Sequence, residues 1–173
     1  MAEVMIEKYG FGGIYFSIQA LLSLYSQGLQ TGLVFDCGDG VSHTIPVIEN
    51  YIQEHAIDWL NVAGRHITTN LIKLLMLRGH AFNSSADFEV VRDIKETMSY
   101  IAYDIQRERK LATETCFVDR EYVLPNKSVI RIGRERFEAG EILFNPGLID
   151  LEHEGIAKLI FDTIQKSPID TRK

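Results

Sequence analysis

Two carboxylates and two glycines sit together in Asp36-Cys37-Gly38-Asp39-Gly40, between the apolar run Leu33-Val34-Phe35 and the sequence Val41-Ser42-His43. Glycines let backbone amides of a tight turn point together at an anion, and phosphate oxygens suit such a nest. Two aspartates at the same turn would repel that phosphate unless a divalent cation lies between. Asp36 and Asp39 therefore imply a hydrated magnesium ion held through water. The same spacing equally describes a type I′ hairpin turn, in which aspartate and glycine do only turn work.

His43 follows the turn, and Gln19 precedes the strand that enters it. A histidine and a glutamine converging on a terminal phosphate could orient an attacking water, because phosphoryl transfer depends on positioning and electrostatics. Spacing leaves open a half-buried structural histidine and a solvated or backbone-bonded glutamine amide. Further on, Arg92, Lys95 and Glu96 fall three and four residues apart, on one face of a helix. They could clamp an adenine face and ribose hydroxyls, or form an ordinary solvated face.

These residues need elements to carry them. Ile14, Ile18, Leu21, Leu22 and Tyr25 recur at helical spacing, which predicts a helix from Ile14 to Gln27 ending at Gly28. Thr31 to Asp36 reads as a buried strand and Val41 to Ile48 as its return, with Gly38-Asp39-Gly40 as the turn. Tyr51 to Trp59 has mixed patterning and predicts irregular structure. A second helix opens near Ala63 and ends at Gly79, with Ile67, Leu71, Leu74, Leu75 and Leu77 as its apolar face. Ser84 and Ser85, with Asp87 and Glu89, signal the start of a third, expected to run with a bend to about Arg109. Cys116 to Leu124 and Ser128 to Ile132 read as strands around Pro125-Asn126-Lys127. Short helical turns over Glu141 to Phe144 and an amphipathic helix from Gly155 to Lys166 complete an α/β chain. The shift from strands before residue 60 to helices after Ala63 suggests a lobe core of residues 1–62 and 152–173, with an inserted smaller subdomain over 63–151.

Composition sets wide bounds. The chain has 173 residues, 46% of them hydrophobic and 24% charged, the profile of an ordinary globular protein. A formal net charge of -6 with scattered basic residues argues against nucleic acid and against a polybasic membrane patch. Cys37 and Cys116 lie far apart, which suggests neither a disulfide framework nor a zinc site. No apolar run reaches the roughly 18 residues of a membrane span. A soluble, intracellular chain is expected.

The string Asp36-Cys37-Gly38-Asp39-Gly40-Val41-Ser42-His43 resembles the second phosphate-binding loop of the actin family. Ile18-Gln19-Ala20, Ala63-Gly64-Arg65 and Arg92-Asp93-Ile94-Lys95-Glu96 follow that family's order, and the resemblance covers essentially the whole chain. It implies an actin-like ATPase fold. It further implies that Gly38, Asp39 and Gly40 cradle the β- and γ-phosphates of ATP and that Asp36 faces the hydration shell of magnesium. Gln19 and His43 would orient the lytic water, and Gly64, Arg92, Asp93, Ile94, Lys95 and Glu96 would line the nucleoside part of the cleft.

Within the family, Leu77-Arg78-Gly79-His80-Ala81-Phe82-Asn83, Ser85-Ala86-Asp87-Phe88-Glu89, Glu135-Arg136-Phe137-Glu138-Ala139 and Ile169-Asp170-Thr171-Arg172 resemble an actin-related protein more than actin itself. The implied role is a subunit of the complex that nucleates branched actin filaments, in the cytoplasmic actin cytoskeleton. Its implied partners are actin-related protein 3, the other subunits of that complex and the actin filament. Three positions depart from the pattern. Cys37 stands where serine is usual, His66 where an aspartate is usual, and the turn after Pro125 lacks its usual aspartate and glycine. The family's first phosphate loop and its glycine-rich adenosine motif do not occur in these residues. The chain is therefore expected to be the second lobe alone, with weak magnesium-ATP binding and no turnover in isolation. A structural module without nucleotide and a conventional filament-forming actin are the alternative readings.

Overall fold

The computed structural model describes residues 1–82 and 84–172. Asn83, in one of the stretches quoted above, lies outside the described residues. The chain opens on a π-helical turn, Val4–Lys8, and then runs without regular structure to α1, Gln19–Ser26. The helix predicted from Ile14 thus begins later. Ile18 is extended (φ -79°, ψ 132°), and Tyr15 and Phe16 are exposed, so no packing rewards a helix over 14–18.

β1, Gly32–Cys37, pairs antiparallel with β2, Ser42–Ile48. β2 also pairs with β3, Tyr51–Ile52, and with β4, Asp58–Leu60. The stretch expected to be irregular therefore contributes two short strands. Strands of two and three residues carry too little alternation to be read from sequence. The two faces of β2 meet different elements. Ile45 and Val47 pack against Ala20 and Leu24 of α1. On the other face buried Thr44 shares a 2.6 Å hydroxyl contact with Thr163 of α6, Ile156–Lys166.

α2, Gly64–Leu77, packs on α3, Ser85–Met98, through Leu71, Leu75, Val91 and Ile94. The hairpin of β5, Arg120–Val123, and β6, Val129–Ile132, closes this core with Ile130 and Ile132, whose neighbours face outward at strand period. The long helix expected to reach Arg109 is instead two. α3 ends at Met98, and α4, Ile105–Glu114, restarts after Asp104, whose carboxylate accepts from the Gln106 and Arg107 amides. That cap satisfies two of the amide donors left open at the start of α4. The strand expected from Cys116 likewise starts at Arg120, because Cys116 to Asp119 form a turn.

α5, Glu135–Glu138, and two 3₁₀ turns, Gly140–Leu143 and Pro146–Ile149, lead back to α6. Leu60, Val62 and Ile142 form a third buried cluster, against which Ile67, Ile156 and Leu159 pack. It joins the β-sheet, the start of α2 and α6. The β1–β2 turn sits beside this junction.

Candidate functional site

Asp36 faces His43 and Cys37 faces Ser42 across the β1–β2 register, which leaves Gly38 to Val41 as the turn. The start of α2 grips the turn from behind. The Gly64 N–H donates to Gly38 O (3.0 Å) and the Arg65 N–H to Asp39 O (2.8 Å). With those carbonyls engaged, the Asp39 and Gly40 amides donate to no backbone group among the described residues, and both residues are exposed. Ser42 locks the strand behind the turn: its hydroxyl is fully buried, donates to Val62 O (2.6 Å) and lies 3.1 Å from the Cys37 sulfur.

The Asp39 carboxylate accepts from Arg65 Nε (3.1 Å) and Nη2 (2.8 Å). Both side chains are largely exposed, so the pair contributes about 0–1 kcal/mol to stability. Its consequence is orientation and charge: one of the two aspartates at the turn is neutralised by the chain itself. Nothing in the sequence marks Arg65 for this role. Its 26-residue separation from Asp39 leaves no periodic signal.

Gly38, Asp39, Gly64, Arg92, Lys95 and Glu96 line one open cleft of about 360 Å³. Three separated stretches thus meet at one place. Lys95 extends from α3 to the Gly64 carbonyl (Nζ to O 3.2 Å), which ties the helix pair to the turn. Arg92 is held by Glu96 (3.2 Å) and Glu89 (3.1 Å). These carboxylates raise its pKa, Glu96 first, and Asp39 adds a smaller push in the same direction.

Asp93 and Ile94 do not line this cleft, because at about 100° per residue Asp93 points about 100° and Ile94 about 150° away from the face shared by Arg92, Lys95 and Glu96. Ile94 is buried in the α2–α3 core. Asp93 accepts from the Tyr122 hydroxyl (2.6 Å) and anchors the β5–β6 hairpin. That bond, ahead of burial and the Asp93 charge, raises the Tyr122 phenol above its ordinary value of 10.0. A proton held more tightly in the folded state stabilises the fold fully below pH about 10, and the contribution is lost as pH rises through the folded value. Tyr122→Phe is expected to remove a late component from the phenolate absorbance titration and to flatten the alkaline loss of stability.

His43 occupies the β2 face that carries Ile45 and Val47, so it shares that face with α1, which Gln19 opens. The Gln19 side chain is exposed, and no hydrogen bond among the described residues joins it to His43 or Asp36. Asp36 Oδ2 lies 3.9 Å from His43 Nε2. Trp59, on β4, packs its ring on His43 at 4.9 Å between centroids. The sequence offered no signal for this contact, because β4 is too short to show alternation. His66 fills a structural role as well: its Nδ1 accepts the Ala63 N–H (3.2 Å), the reciprocal half of a capping box at the start of α2.

A family model described as Actin matches residues 1–173. The chain belongs to the actin family. It is 55% identical over 172 residues to actin-related protein 2 of Acanthamoeba castellanii, covering 99% of this chain and 44% of that protein. Actin-related protein 2 of Saccharomyces cerevisiae is 52% identical over 172 residues, again 99% of this chain and 44% of the relative. The Schizosaccharomyces pombe protein of the same name is 50% identical over 173 residues, 100% of this chain and 44% of its own length. The chain thus spans less than half the length of the curated relatives it matches. Its helices and strands are those of an actin-like ATPase fold, as its motifs implied.

Proposed function

We propose that the turn at Asp36 to His43, the start of α2 and the Arg92–Glu96 face of α3 form one wall of a magnesium-ATP site. The full-length protein is then an ATP-binding actin-related subunit that works with actin-related protein 3 and the other subunits of the branching complex on an actin filament. The observation that carries the reading is the meeting of Gly38, Asp39, Gly64, Arg92, Lys95 and Glu96 at one cleft. On this reading the free Asp39 and Gly40 amides bind phosphate oxygens. Lys95 and Arg92 supply positive charge, and Glu96 accepts from ribose hydroxyls.

The donor set at the turn fits magnesium held through water. Asp36 offers a carboxylate beside the turn, Asp39 is engaged by Arg65, and no group of three or more His, Cys, Asp or Glu that could cage a metal occurs among the described residues. Bound magnesium would neutralise phosphate charge. The chain's own residues would do the rest: the turn amides fix the phosphates, and Gln19 and His43 orient a water from the α1 face of the sheet. The remaining wall and the closure that excludes solvent come, on this reading, from the rest of the full-length protein. Residues 63–151 act as the smaller subdomain over the site.

Exposed Tyr9, Phe11, Tyr15 and Phe16 support a chain that functions against further protein surface. The role in a cytoplasmic complex rests on the name shared by the relatives, and there ATP biases conformation more than it fuels turnover. Titrating the full-length protein with a fluorescent ATP analogue in magnesium is expected to give saturable micromolar binding. Lys95→Met is expected to weaken it about tenfold, the loss of one charge-assisted contact. Absence of saturable binding by the folded wild-type protein would leave the module without nucleotide as the correct reading.

A further inference from the structure

His43 lies at the centre of a row that crosses three strands. Asp36 on β1 and Trp59 on β4 are its register partners, and directly opposed residues place their side chains on one face. Among the described residues neither ring nitrogen is fixed by a hydrogen bond, and Nδ1 is buried without a partner there. Nε2 is 3.9 Å from Asp36 Oδ2, too long for a direct bond, so a water that touches both sits beside the pair.

The ring's remaining specific contact is the indole of Trp59, with centroids 4.9 Å apart and planes inclined by 31°. Tilted aromatic pairs at this separation are attractive beyond the area they bury. Imidazole rotation about its last side-chain bond is broad, so a one-sided aromatic contact limits the planes the ring can adopt and with them the direction from which its edge meets Asp36. Trp59 is itself 60% exposed, more than burial alone would select for the largest side chain of the sheet.

We propose that Trp59 is a positioning residue for His43. Its indole fixes the plane of the imidazole against the Asp36 side of the row, so that a water touching both Nε2 and the carboxylate meets the ring edge from a fixed direction. The inference rests on the reading of His43 as the group that orients water, and it concerns the ring itself, with or without nucleotide.

The test uses the full-length protein and its Trp59→Ala and Trp59→Phe variants. Nitrogen-detected NMR of the His43 ring without nucleotide reports orientation and tautomer, and single-turnover hydrolysis reports its consequence. In the wild type one set of ring signals is expected. Trp59→Ala is expected to split or broaden them and to slow hydrolysis about tenfold, with ATP affinity changed no more than about twofold. Trp59→Phe, which restores an aromatic face, is expected to return a single set and most of the rate. If the alanine protein fails to fold, Trp59→Leu keeps apolar cover without the π face and replaces it. Unchanged His43 signals in the alanine or leucine protein overturn the proposal. A wild type that binds ATP without hydrolysing it would overturn the water-orienting reading instead, while the ring signals would still decide the part played by Trp59.

Discussion

Gly64→Ala is expected to weaken magnesium-ATP binding by the full-length protein about tenfold or more while leaving thermal stability unchanged or slightly raised. Gly64 opens α2 in ordinary helical geometry, so alanine there costs no backbone strain and favours the helix by up to about 1 kcal/mol. The new methyl group, however, points at the turn. It would lie 3.2 Å from Gly38 O, 3.5 Å from Lys95 Nζ and 3.7 Å from Asp39 Cα. Lys95 can swing aside. The turn shifts only as a unit with the start of α2, because Gly38 O is the acceptor for the Gly64 amide and Asp39 O for the Arg65 amide. Relief therefore displaces the peptides whose Asp39 and Gly40 amides are proposed to hold phosphate, by a few tenths of an ångström. Opposite signs for affinity and stability separate this effect from general damage. Unimpaired binding by Gly64→Ala would show that the turn does not touch nucleotide.

The second large effect concerns the fold alone. Gly155→Ala is expected to destabilise the protein by about 3 kcal/mol, the upper part of the range for overpacking, read as a lower urea midpoint and a loss of soluble yield. Gly155 is buried at the start of α6, with φ -70°, so its backbone angles suit any residue. The conflict is spatial: an added Cβ would overlap the backbone of Phe144, including its carbonyl oxygen, and would lie 2.7 Å from its Cα. Neither side can yield cheaply. Gly155 O accepts the Lys158 and Leu159 amides, and α6 carries Leu159 and Ile156 against the Leu60–Val62–Ile142 cluster and Thr163 against Thr44. Gly12→Ala is the control, since nothing lies within 4 Å of its added Cβ. Equal stability of the two variants would mean that the chain near Phe144 is free to shift.

Much of the fold was legible because its elements repeat a period over enough residues. α2, α3 and α6 carry apolar residues at helical spacing, and β6 alternates buried and exposed positions. The departures arise where local spacing is absent or is overruled. β3 and β4 are too short for a pattern, the 14–18 stretch has helical spacing without a surface to pack on, and Asp104 outcompetes a continuous helix by capping a new one. Local spacing reports what a segment can do. Packing and capping decide whether it does so.

For the site, the sequence by itself determined the residue types: a glycine-flanked acidic turn, a histidine after it, and a basic and acidic face on a later helix. Order along the chain was enough to connect these stretches to the actin family, because several separated motifs in one order are specific where each alone is not. Only the tertiary structure decided which of them meet. It brought Gly38, Asp39, Gly64, Arg92, Lys95 and Glu96 to one cleft, turned Asp93 toward Tyr122 and Ile94 into the core, and supplied Arg65 and Trp59 as neighbours of Asp39 and His43. The physical reason is that contacts between residues far apart in sequence depend on how helices and strands pack, and no local period encodes that.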